Sequence, residues 1–99
     1  MILETFYKQP SEVKDYTISY SDWLAGTGDS VNDATATVVC TSDQTDTSLV
    51  VNNIYISPTS VTVWLSGGTD RRKYKVTVQA STVGGRIDES EFLVVVKDY

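Results

Sequence analysis

Between residues 73 and 80 apolar and polar residues alternate without a break. Tyr74, Val76, Val78 and Ala80 fall on one side, and Lys73, Lys75, Thr77 and Gln79 on the other. A period of two puts successive side chains on opposite faces of an extended strand, and no helix gathers that pattern into one apolar stripe. One face suits a core and the other suits water, as in an antiparallel sheet with one wet side. The residue types agree along the whole chain: 14 Val, 13 Thr and 11 Ser stand against 5 Leu, 4 Ala and 4 Glu. β-branched side chains fit a pleated surface, while good helix formers are scarce.

The same reading extends in both directions. Tyr16, Ile18 and Tyr20 alternate with Thr17 and Ser19, and Val61, Val63 and Leu65 alternate with Thr62, Trp64 and Ser66. Residues 30–40 form a strand with Ala34, Ala36 and Val38 in phase, and residues 41–48 are a polar loop. Residues 49–56 read as a strand that Asn52-Asn53 splits or bulges and Pro58 ends, because proline has no N–H for a ladder. Gly67-Gly68 and Gly84-Gly85 mark turns, and residues 86–97 close the chain as a long strand whose Val94-Val95-Val96 end is apolar on both faces. Only residues 21–26 carry helix signals: a Ser or Asp cap, then Trp23 and Leu24, then Gly26. Trp23 is expected to plug one end of the fold. The sum is an all-β fold of six to seven short antiparallel strands with one short helical turn, a sandwich or small barrel. Residues 1–13 form an N-terminal arm or first edge strand, and residues 14–99 the sandwich.

Ninety-nine residues make one domain, able to bury about two-thirds of its unfolded surface without metal or disulfide. The single cysteine, Cys40, ends an apolar run and is expected as a reduced, buried thiol. No 18-residue apolar run exists, so no membrane partner is expected, and the opening lacks the pattern of a secretory signal. A net charge of −5 argues against nucleic acid as a partner.

Chemistry is hard to place. Histidine is absent, which removes the commonest general base and metal ligand together. Asp29, Asp33, Asp43 and Asp46 lack EF-hand spacing and read as a solvated loop face. Glu89 and Glu91 share a strand face, where exposed carboxylates serve solubility and edge protection. Neither cofactor, metal site nor enzyme activity is expected.

The remaining candidates are surfaces. Arg71, Arg72, Lys73 and Lys75 hold half of the eight positive charges and could meet an acidic partner. Trp64 is out of phase with Val63 and Leu65, so it is either covered on the outer face or exposed as an interface anchor. Phe6, Tyr7 and Lys8 lie in an aperiodic arm that either docks on a partner or packs on its own sandwich.

One family fits these residues. The string Lys8-x-Pro10-x-Glu12-x-x-Asp15-Tyr16-x-Ile18-x-Tyr20-Ser21-x-Trp23-Leu24 resembles the opening of small Ig-like structural proteins of tailed bacteriophages and prophages, of the fiber-tail adaptor type. Val63-Trp64-Leu65-Ser66-Gly67-Gly68-Thr69, Tyr74-x-Val76-Thr77 and Thr82-x-x-Gly85-Arg86-x-Asp88-Glu89-Ser90 continue the likeness in order. The resemblance implies an all-β immunoglobulin-like antiparallel β-sandwich of six to seven strands with one short helical turn, in a non-enzymatic virion protein of the tail, fiber or head made in the bacterial host cytoplasm. Its partners would be other virion proteins, with the chain a monomer in isolation or a homo-oligomer on the particle. One departure stands out: proteins of this type place a glycine shortly before the strand tyrosine, where this chain has Asp70-Arg71-Arg72-Lys73. A surface- or carbohydrate-binding Ig-like module of a bacterial adhesin is the alternative from another class. It would call for secretion signals and tandem repeats.

Overall fold

The computed structural model describes residues 2–98. Strand makes up 63% of the chain and helix 4%. The elements run β1 (Ile2–Lys8), β2 (Val13–Ser19), α1 (Ser21–Leu24), β3 (Val31–Cys40), β4 (Leu49–Ser57), β5 (Ser60–Gly67), β6 (Arg72–Thr82) and β7 (Ile87–Val96). They form a four-stranded sheet, β1-β7-β6-β3, facing a three-stranded sheet, β2-β5-β4. All pairings are antiparallel except β1 with β7. This order is compatible with the immunoglobulin-like arrangement, the first strand lying on the larger sheet.

Alternation decides what faces inward. Tyr74, Val76, Val78 and Ala80 are fully buried, opposed across the sandwich by Val61, Val63 and Leu65. Three aromatic rings close the side where β1 and β2 approach. Phe6, Tyr16 and Phe92 stack with centroids 4.7 to 5.7 Å apart. Offset and edge-to-face rings at such distances add about 0.5–1.5 kcal/mol per pair beyond their area. Cys40 is buried and free.

Two local details differ from the sequence reading. α1 is capped at Tyr20 with no side-chain hydrogen bond, so neither serine nor aspartate closes its start. Leu24, at 5% exposure, plugs that end, while Trp23 rests beside Tyr20 with 39% of its surface open. A four-residue helix turns only one side chain fully inward, and the shorter leucine fits there. The Asn52-Asn53 pair does bulge β4, with the register shifting between Val51 and Asn53.

The acidic loop residues also have a task beyond solvation. Tyr74 stands near the start of β6, and its hydroxyl accepts the Thr69 N–H (2.7 Å) and donates to Asp46 Oδ2 (2.8 Å). Asp46 further receives Arg72 Nη1 at 2.8 Å, and its side chain is 4% exposed. One phenol thus ties the β5–β6 turn to the β3–β4 loop, in the manner of the tyrosine corner of immunoglobulin-type folds. Gly67 permits the approach: its φ is +79° and a Cβ there would collide with the Ser48 carbonyl. Tyr74→Phe is expected to lower unfolding free energy by about 1–3 kcal/mol, because it strips a buried N–H and a carboxylate of one partner. Urea unfolding checks it, and a midpoint equal to wild type would refute the corner.

Candidate functional site

The strand register sorts the eight candidate residues onto different surfaces. On β1, Phe6 pairs with Val94 and points inward, while Tyr7 pairs with Val95 and is 59% exposed. The two adjacent aromatics therefore part: Phe6 packs on its own sandwich and Tyr7 faces out. Lys73 also pairs with Val95, from the β6 side. Tyr7, Val95 and Lys73 thus form one outward row across β1-β7-β6.

The next outward row holds Leu93, Lys75 and Val39, since Lys75 pairs with both Leu93 and Val39. Leu93 and Val95 are half-buried and Val39 is 45% exposed. This explains the run of three valines at the chain's end: Val94 and Val96 face the core, and Val95 faces this outer surface. Lys75 leans toward Glu91 at 3.6 Å, a half-exposed pair that contributes little to stability. The result is a strip in which Lys73 ends the row of Tyr7 and Val95, while Lys75 stands between Leu93 and Val39. Apolar anchors interleaved with lysines suit a protein partner.

Four candidates lie elsewhere, Arg71 in the β5–β6 turn among them. Lys8, 1% exposed, is folded into the molecule, where its ammonium donates to the carbonyls of Gln9 (2.8 Å) and Gly67 (2.6 Å). Burial pushes its pKa below the usual lysine value. Its place in an inward position of β1 leaves it no free surface to offer a partner. Arg72 turns toward the β3–β4 loop, bonding Asp46 and, at 3.3 Å, Asp43. Trp64 sits half-buried on the outer face of the opposite sheet, so it belongs to neither cluster.

Arg71 is exposed at the β5–β6 turn with φ +66°, the one non-glycine with positive φ among the described residues. Left-handed backbone costs an L-residue about 1–2 kcal/mol, which glycine avoids. Arg71→Gly is expected to stabilise the fold by roughly 0.5 kcal/mol, the relieved strain being partly offset by a more flexible unfolded chain. A lower unfolding midpoint would show that the arginine side chain holds the turn.

The sandwich has electrically unlike ends. Around α1 and the β6–β7 turn stand Asp22, Asp29, Asp33, Asp88 and Glu89, against Arg86 alone among the described residues. Asp29 accepts Arg86 Nη1 at 2.7 Å, the Gly84 N–H at 2.8 Å and the Ser30 N–H at 2.9 Å, so it holds that turn in place. Around the β5–β6 turn Lys8, Lys14, Arg71, Arg72, Lys73 and Lys97 nearly balance Glu12, Asp43, Asp46, Asp70 and Asp98. The α1 end thus carries most of the net charge of −5. It also exposes Trp23, Val83 (70%) and Ile87 (65%), an apolar set that the sequence reading missed. Val83 and Ile87 flank the glycine turn, and no alternation marks them as outward.

Among the described residues no cluster of three or more His, Cys, Asp or Glu could hold a metal ion, and no helix is long and apolar enough to cross a membrane.

A family model described as "Podophage GP4 fiber-tail adaptor protein gp77" matches residues 8–95. The match takes in Trp64, Arg71, Lys73 and Lys75, and begins just after Tyr7. No curated protein matches the chain.

Proposed function

We propose that this chain, which belongs to the podophage GP4 fiber-tail adaptor family, bridges two different virion parts by protein–protein contacts and carries out no chemistry. Membership of the family makes it a phage structural component of the virion. The observation that supports the finer reading is the contrast between its ends. An adaptor that joins unlike parts needs unlike surfaces, and this one has an acidic end with Trp23, Val83 and Ile87 and a lysine-bearing strip with Tyr7, Val39 and Leu93. Opposite charge on two docking faces steers each toward its own partner and disfavours the reverse orientation.

Two double variants test this. Tyr7→Ala with Lys73→Glu alters the strip, and Trp23→Ala with Ile87→Glu alters the acidic end. All four side chains are exposed, so thermal stability should stay near wild type. Each variant is expected to join assembled particles at least about tenfold less well, and each to lose a different partner in pull-downs with tail and fiber proteins. Incorporation of both variants at the wild-type level would overturn the reading.

A further inference from the structure

The outer face of the three-stranded sheet holds a shallow depression of about 390 Å3, lined by Asn52, Asn53, Tyr55 and Trp64. Its origin is the β4 bulge. Asn53 pairs opposite Trp64 and faces outward with it, as does Tyr55 opposite Thr62. Without the bulge Asn52 would alternate to the inner face. The extra residue instead keeps it outward, where its Oδ1 accepts the Ser66 hydroxyl at 2.8 Å. Bulges of this kind re-aim side chains beside binding sites.

The polar atoms are left in one orientation. Asn53 Oδ1 accepts the Ile54 N–H at 2.9 Å, so both amide carbonyls are occupied within the protein. Among the described residues neither Nδ2 has a hydrogen-bond partner within the protein, so both asparagines bring an available donor to the lining of the depression. Across Trp64, on β2, Asp15 pairs opposite the indole and is exposed, giving an acceptor. The shelf reads acceptor, aromatic face, two donors, with a second ring at Tyr55.

We propose that this shelf binds a neutral sugar ring of a polysaccharide. A pyranose offers an apolar C–H face for Trp64 and hydroxyls that both accept from the asparagines and donate to Asp15. Other ligand chemistries fit less well. An anion would find no lysine or arginine in the lining and the Asp15 carboxylate just beyond Trp64, and a cation would give the amide donors nothing to bind. A polyproline segment could stack on the rings and accept from the amides, but its backbone has no N–H to donate to Asp15. The volume falls at the lower end of the about 300–1,000 Å3 usual for small-ligand sites, and its shallowness suits one or two sugar units.

The site lies on the sheet opposite the Tyr7–Lys73 strip, so it is independent of the adaptor reading. The test is a 15N-NMR titration with methyl glycosides of glucose, galactose, mannose, rhamnose and N-acetylglucosamine, each taken to about 100 mM, where millimolar binders saturate. At least one should give saturable shifts confined to residues 15, 52–55 and 62–66, including the Trp64 indole. Tyr55→Ala and Asn53→Asp, both at exposed positions, should each weaken that sugar about three- to tenfold while the rest of the spectrum stays folded. No saturable shift with any glycoside overturns the proposal. So does unchanged affinity in Asn53→Asp, or shifts at these residues from a polyproline peptide alone.

Discussion

Phe92→Ala should lower the unfolding free energy by about 3–5 kcal/mol, the range for removing a buried aromatic and leaving part of its cavity. Phe92 is 1% exposed and touches both Phe6 at 5.7 Å and Tyr16 at 5.3 Å. Those rings seal the side on which β1 meets the body of the fold. The loss therefore has a local part as well as a global one. Hydrogen exchange should show β1 opening before the remaining strands, because Phe6 would lose one of its two ring neighbours. Domains of this size have only about 5–15 kcal/mol to lose, so the variant should melt far below wild type. An effect under about 1 kcal/mol would mean that β1 is not packed as described.

Acid should unfold the domain well before its core fails. Asp46 is held far below the usual carboxylate range by the Ser48 hydroxyl and N–H, with Tyr74 and Thr69 adding to them. The Thr82 hydroxyl, the Gly84 N–H and Arg86 do the same for Asp29. Thr45 lowers Asp43, and the Gln9 N–H lowers Glu12. Folded pKa values below the unfolded ones mean that the unfolded chain takes up more protons as pH falls. Their stabilisation is therefore complete above the unfolded carboxylate values, near 3.8 to 4.5, and drains away below them. The urea midpoint should stay level from about pH 7 to pH 5 and fall steeply below about pH 4. Asp29→Asn with Asp46→Asn should start lower at neutral pH and show a flatter acid slope. A wild-type midpoint at pH 3 matching that at pH 7 would contradict the two loop clamps.

Most of the fold was legible because a period of two is hard to mistake when it recurs. The alternations at 73–80, 61–66 and 16–20 place their inward residues as observed, and the Asn52-Asn53 bulge and the Pro58 stop fall where the residues announce them. What stayed hidden depends on strand neighbours that are distant in sequence. Arg71, Arg72, Lys73 and Lys75 look like one basic cluster in the sequence. Strand pleat and turn geometry send Arg72 to the β3–β4 loop, Lys73 and Lys75 to the outer sheet face, and Arg71 into the turn. Lys8 looks like an arm residue until its carbonyl partners, one of them 59 residues away, are known. The acidic loop residues look solvated in the sequence because a single aspartate gives no sign of the hydroxyls and N–H groups that converge on it.

The contrast between the two ends is tested most directly by cross-linking mass spectrometry on intact particles. One reagent joins amines, capturing Lys73 and Lys75 on the strip. The other activates carboxylates, capturing Asp22 and Glu89 near α1. The strip should cross-link to one virion protein and the acidic end to a different one. Links from both ends to the same protein surface, or none to any tail or fiber component, would contradict a bridge between two unlike parts.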